Sequence, residues 1–291
     1  MPSIEGTAAV LKSDPRTDRP DDAAIAGMPL AGLSLPAGQL PPPLVWTLRI
    51  VRLVAVPLLI LAAASGLALG IVRVGADLRL GLDPFGDATA RAFLPMRELA
   101  GRALAVDAVR QVLIAAIVIG ITLWRYGSGW RARLALVRPA WTRVRLRRLW
   151  LLLLLWPVLH IAWVAGTAEA LHLNFGRGVR LSPILSSAMV MGWLVYVGLL
   201  APLAEELLLR GQTFARAEEF LRPASAIVAT ALLFCAAHIS EMGLARPITL
   251  LPLAVTLGWL RWRTGRLWPC ILLHGWSNLA VVAYQIGPSH L

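Results

Sequence analysis

Two adjacent glutamates, Glu205 and Glu206, close a long apolar run, and Arg210 follows one turn later. The run upstream, residues 189–200, reads MVMGWLVYVGLL and has the composition of a lipid-embedded helix. A carboxylate near the centre of a membrane helix costs about 2.5–3.5 kcal/mol on insertion scales. Two in succession point to chemistry or ion handling. Glu206 and Arg210 are four apart and share a helix face, where a carboxylate–guanidinium pair lowers the cost of both charges. Glu205 is rotated away by one residue and has no such local partner. The spacing therefore predicts a structural Glu206 and an available Glu205, whose desolvated carboxylate suits a general base.

Further polar residues interrupt later apolar stretches. Phe234 and His238 are four apart in one, and His274 and Asn278 are four apart in another, so that each pair projects to one side of its helix. Pro269 stands where the first turn of that last helix is expected, a position that needs no N–H. Ala236, Ala237, Gly275 and Ser277 are small enough to let helices approach closely. Each cluster taken alone reads as packing: a Glu–Arg pair as a satisfied ion pair, Asn278 as interhelical glue. His160, beside Pro157, reads as a core histidine hydrogen-bonded to a neighbour. Clusters on three helices of one bundle instead predict a shared cavity holding Glu205, His238, His274 and Asn278. Cys235 and Cys270 lie in apolar segments and read as small core residues rather than a disulfide or a metal site.

The elements that must position these groups follow from composition. Hydrophobic residues make up 58% of the 291 and the mean hydropathy is +0.69, well above the 45–50% apolar content of soluble domains. The expected fold is all-α, a polytopic transmembrane bundle of about seven or eight helices. Spans of about 20 apolar residues are predicted at 50–72, 104–124, 149–171, 183–209, 224–240, 247–262 and 268–286, and 88–103 reads as an amphipathic interfacial helix. No internal repeat is evident. The net charge of +12 comes from 28 basic residues, of which Lys12 alone is lysine. These arginines flank the spans, which argues against nucleic acid and for the positive-inside rule.

Arg125, Arg131, Arg133, Arg138, Arg143, Arg145, Arg147 and Arg148 place their loop in the cytoplasm, as do Arg216 and Arg222, and Arg261, Arg263 and Arg266. Asp77, Asp83, Asp87 and Glu98 offset Arg79, Arg91 and Arg97 in the alternate loop, and Glu241 precedes Arg246 in another. Three regions are expected. Residues 1–43, charged and then Pro/Gly-rich without a signal-peptide core, read as a disordered cytoplasmic tail. Residues 44–148 carry the first helices and the basic loop, and 149–291 the bundle with the motifs. The preference for Arg, Ala and Leu suggests a GC-rich bacterial genome, hence a multi-pass protein of the inner (plasma) membrane with a cytoplasmic N-terminus.

The three motifs, Glu-Glu-x-x-x-Arg at 205–210, Phe-x-x-x-His at 234–238 and His-x-x-x-Asn at 274–278, resemble in this order the intramembrane glutamic proteases of the CPBP family, which includes CAAX prenyl proteases and bacteriocin-processing proteins. The phrase Leu-Trp-Pro-Cys-Ile-Leu-Leu-His at 267–274 resembles the same family's third motif region. The resemblance covers about residues 183–286 and none of 1–148. It implies a helical fold around a cavity open towards the cytoplasmic side, with no cofactor or metal. It further implies that Glu205 activates a water, that His238 positions it, and that His274 and Asn278 stabilise the oxyanion. Glu206 and Arg210 would hold Glu205 in place, with Phe234 completing the site. The implied partners are the lipid bilayer and a membrane-anchored protein or peptide substrate, and the oligomeric state is left open.

Other readings use the same residues. Glu205, His238 and His274 could ligate zinc, although the helical His-Glu-x-x-His signature is absent. A non-catalytic immunity or scaffold protein, or a proton-linked transporter, would also keep buried carboxylates, the latter usually with repeated halves. One geometric tension stands. At about 1.5 Å per residue, His274 lies roughly 9 Å inside its span and His238 roughly 20 Å inside its own.

Overall fold

A computed structural model of the chain describes residues 43–86, 89–137, 143–171, 185–239 and 244–286. The expected tail lies outside the described residues except for Pro43, as do Asp87, Arg138 and Glu241 of the loop-charge pattern. Among the described residues every regular element is helical, and seven of the helices are long. These are α1 (Pro43–Arg79), α3 (Met96–Arg133), α4 (Arg143–Ala170), α5 (Ser187–Ala217), α6 (Pro223–Ala236), α7 (Ala245–Thr264) and α8 (Trp268–Ile286). A single turn, α2 (Thr89–Ala92), lies between α1 and α3.

Four of these, α1, α3, α4 and α5, are long and apolar enough to cross a membrane, and α6 is a shorter apolar helix. Their outer faces carry exposed Leu58, Leu59, Leu67, Leu154, Val158, Leu159 and Leu199. That much exposed aliphatic surface is far beyond what water tolerates on a monomer, and it is satisfied by lipid. The chain is a multi-pass membrane protein. The expected interfacial helix over 88–103 is not a separate element: its second half is the first two turns of α3, which continues unbroken into the membrane stretch.

Side-chain ties define the two ends of the bundle. At one end Asp77, fully buried, takes Arg102 at 2.6 Å and Arg91 at 2.8 Å, while Arg79 meets Glu98 at 2.7 Å. These pairs lock the end of α1 to the start of α3. At the other end Arg133 pairs with Glu219, Trp46 packs edge-on against Phe220, and the Leu267 N–H donates to the Ala135 carbonyl at 3.0 Å. Burial pushes the Glu218 carboxyl, just beyond α5, above the usual carboxylate range, opposed by Arg261 at 4.0 Å. The apolar core between the ends joins Ile60 and Ala64 of α1, Ile114 and Val118 of α3, Leu153 and Trp156 of α4, and Leu253 and Leu257 of α7.

Trp156, His160 and Ser277 form a closed strut between α4, α7 and α8. Trp156 donates to Ser277 Oγ at 3.1 Å, Ser277 Oγ lies 2.6 Å from His160 Nδ1, and His160 Nε2 lies 3.2 Å from the Thr249 carbonyl. A carbonyl only accepts, so Nε2 carries the proton and Nδ1 receives the Ser277 hydroxyl. Every polar atom of this histidine is spent on packing helices together. Cys235 and Cys270 are buried free thiols.

Candidate active site

α5 is not a regular helix. It contains two π-turns, Tyr196–Leu200 and Leu207–Thr213, and the Thr213 hydroxyl donates to the Leu208 carbonyl five residues back at 2.7 Å. In an unbroken α-helix the nine residues from Tyr196 to Glu205 make two and a half turns, which puts them on opposite faces. The residue inserted by a π-turn recovers about 100°. Tyr196, Val197, Ala201, Glu205, Leu208 and Leu209 all line one cavity as a result.

Glu206 and Arg210 are both fully buried and paired at 3.1 Å. Arg210 also donates to the Ala254 carbonyl at 2.8 Å, and its guanidinium lies 4.8 Å from the Phe234 ring centroid. Arg261 donates to the Arg210 carbonyl at 2.9 Å. The buried cation thus has a carboxylate, a carbonyl and a ring face around it, the arrangement that makes a buried charge tolerable. Glu206, which the resemblance assigns to holding Glu205 in place, contacts more than Arg210. Its second contact is His274, whose Nδ1 lies 2.9 Å from Glu206 Oε1.

That contact orients the imidazole. With Nδ1 donating to Glu206, Nε2 of His274 faces Glu205 Oε2 at 3.9 Å. His238 is arranged the same way: Nδ1 donates to the Phe234 carbonyl at 2.8 Å, and Nε2 stands 3.9 Å from the same Glu205 oxygen. Glu205 Oε2 is buried and has no hydrogen-bond partner among the described residues. The two approaches are too long for direct hydrogen bonds and suit groups that share one small hydrogen-bonding molecule. Phe234 packs against both rings, at 4.6 Å from His238 and 5.5 Å from His274, and fixes their angle.

Asn278, one turn beyond His274, donates through Nδ2 to the Val197 carbonyl at 3.0 Å. This carbonyl belongs to the first π-turn, and the bond leaves Asn278 with a second N–H. Gly275 lies between the two motif residues, against the Gly198 carbonyl of the same turn. α8 and α5 therefore touch through backbone where the two polar contacts are made.

The cavity so formed has a volume of about 510 Å³ and includes Glu205, Phe234, His238, His274 and Asn278. Among the described residues no group of three or more His, Cys, Asp or Glu side chains is arranged to hold a metal ion. The disparity in depth between the two histidines is resolved by the ends of the helices. α5 runs to Ala217, so Glu205 lies roughly 18 Å from its end, close to the roughly 22 Å that separates His238 from the start of α6. α8 opens within the protein interior: Leu267, Pro269 and Cys270 are all buried.

Sequence reasoning missed the wall supplied by the first helices. Leu61 and Ser65 of α1 and Arg110 and Gln111 of α3 also line the cavity. Gln111 is only 3% exposed and its Oε1 has no partner among the described residues, a state that costs about 1–3 kcal/mol. The one signal was an amide within the apolar stretch that becomes α3.

The fold and cavity define a helical membrane protein with a buried carboxylate–imidazole pocket. Residues 187–280, about a third of the chain, match the family model described as type II CAAX prenyl endopeptidase Rce1-like. The matched stretch runs from α5 through Asn278 and contains every motif residue. No curated protein and no solved structure matches the chain.

Proposed function

We propose that the chain is an intramembrane endopeptidase that hydrolyses a peptide bond of a membrane-associated protein or peptide with a water activated by Glu205. The observation that carries this reading is the convergence of both imidazole Nε2 atoms on the unpartnered oxygen of Glu205, at 3.9 Å each. A water between them donates one hydrogen to Glu205 and one to His238. As its oxygen attacks the substrate carbonyl carbon, Glu205 takes the proton. His274 in its protonated form, its positive charge supported at Nδ1 by Glu206, donates from Nε2 to the oxyanion. The second N–H of Asn278 is placed to do the same. Preorganised donors of this kind contribute about 3–4 kcal/mol each when removed singly. Collapse of the tetrahedral intermediate breaks the C–N bond, and the proton held on Glu205 passes to the leaving amine. The products are a carboxylate and an amine.

The test uses the full chain in detergent micelles with a quenched-fluorescent peptide that ends in a prenylated Cys-aliphatic-aliphatic-X sequence. The wild type cleaves it, while Glu205→Gln folds, with an unchanged melting profile, and does not. Equal turnover by the two proteins rules out the mechanism.

A further inference from the structure

The family match begins at α5, yet the cavity has a wall from α3. Gln111 packs its amide against the Tyr196 hydroxyl, which also lies 3.5 Å from Arg110 Nη2. Arg110 itself is held by Asp107 at 2.8 Å. The Gln111 Oε1, buried and lining the cavity, is left without a donor. Leucine or methionine would fill the same volume with no polar atom to satisfy. A carbonyl kept at this place has a use.

A peptide that enters a membrane-buried cavity brings backbone N–H groups that lose water and must find acceptors. Helices wall this cavity, and most of their carbonyls are engaged in helical bonding, while those of Val197 and Phe234 are taken by Asn278 and His238. Among the described residues, the fully buried acceptors that line it without a partner are Glu205 Oε2 and Gln111 Oε1. Glu205 is committed to the attacking water. We propose that Gln111 is a substrate-positioning residue whose Oε1 accepts a backbone N–H of the bound peptide and sets the register of the scissile bond against Glu205. This rests on the endopeptidase reading above. Gln111 touches Tyr196, and nine residues of α5 separate Tyr196 from Glu205, roughly 13 Å along the axis. An extended chain covers that distance in about four residues. The accepted N–H therefore belongs to a residue three or four positions from the bond that is cut.

The experiment uses the full chain in micelles and the same prenylated quenched peptide, together with a series in which each backbone N–H in turn is replaced by an ester oxygen. Gln111→Leu is expected to lose about tenfold in kcat/KM, chiefly through KM, the worth of one good hydrogen bond. Gln111→Glu, which keeps an acceptor, restores most of it. One ester position, three or four residues from the cleaved bond, costs the wild type the same factor and costs Gln111→Leu nothing more. The ester series on the wild type tests the claim even if the leucine variant does not fold. Gln111→Leu with wild-type kcat/KM, or ester penalties equal in both proteins, overturns the proposal while leaving the peptidase standing. Equal cleavage by wild type and Glu205→Gln overturns both.

Discussion

Gly275→Ala is the sharpest structural perturbation available, because it adds one methyl group without removing a polar atom. The new Cβ would overlap the Gly198 carbonyl oxygen of α5 and lie 3.3 Å from its carbon. Backbone cannot rotate away as a side chain can, so α8 and α5 must separate by roughly 1 Å. His274 precedes Gly275 and Asn278 follows it by three residues. Their bonds to Glu206, at 2.9 Å, and to the Val197 carbonyl, at 3.0 Å, bracket the contact. The same displacement stretches both to about 4 Å, outside hydrogen-bonding range. Loss of one charge-assisted and one neutral bond costs about 2–4 kcal/mol. If the whole loss falls on the transition state, kcat/KM drops by about 30- to 1000-fold. The assay is turnover of the prenylated quenched peptide alongside thermal unfolding followed by tryptophan fluorescence. Gly192→Ala is the control, since its Cβ would meet only Leu104 Cδ2, at an ordinary 3.6 Å. Wild-type turnover and melting temperature in Gly275→Ala would refute the close approach of the two helices, and with it the positioning of His274.

Other outcomes follow from the same geometry. Arg210→Met strands the buried Glu206 carboxylate and removes its anchor on Ala254, so it lowers stability by about 3–5 kcal/mol in denaturant titration. The double variant Glu206→Leu/Arg210→Met recovers much of that stability but not activity, because His274 loses its orienting acceptor. Asn278→Leu removes the tie to the first π-turn and one donor of the proposed oxyanion site. It reduces kcat by about 100-fold while KM changes little, a split read directly from initial rates. Prolonged dialysis against a strong chelator leaves turnover unchanged; loss of activity that zinc restores would assign the site to a metalloprotease instead.

Much of the site's content was legible in the sequence, because charge in an apolar helix is too costly to be accidental. The pairing of Glu206 with Arg210 followed from their spacing, and α8 begins and ends where the apolar pattern does. The end of α5 was misjudged by eight residues. Arg210, Gln212 and Thr213 resemble a helix leaving the membrane, yet all three are buried. The partners of Arg210 and Thr213, on α7 and within a π-turn, leave no mark on local composition. The link from Glu206 to His274 was hidden for the same reason, since it spans 68 residues. The π-turns themselves carry no periodic signal, so the face shared by Tyr196 and Glu205 could not be read from spacing. Gln111 gives no signal of its role in the sequence, because a lone amide among aliphatic neighbours does not reveal its surroundings.

The segment around Ala135 has a consequence for how the molecule is divided. Ala135 adopts a left-handed backbone, φ 56°, unusual for a residue with a side chain. This bend tucks the fully buried Leu134 against Gly211, at 3.2 Å from where a Cβ would stand, and presents the Ala135 carbonyl to Leu267, the residue before α8. The floor beneath the motif helices is thus laid by an earlier part of the polypeptide. A fragment confined to residues 187–280 would own every reactive side chain and lack the foundation that holds them in register. The motif residues are confined to one stretch of sequence, but the working unit is the bundle that surrounds it.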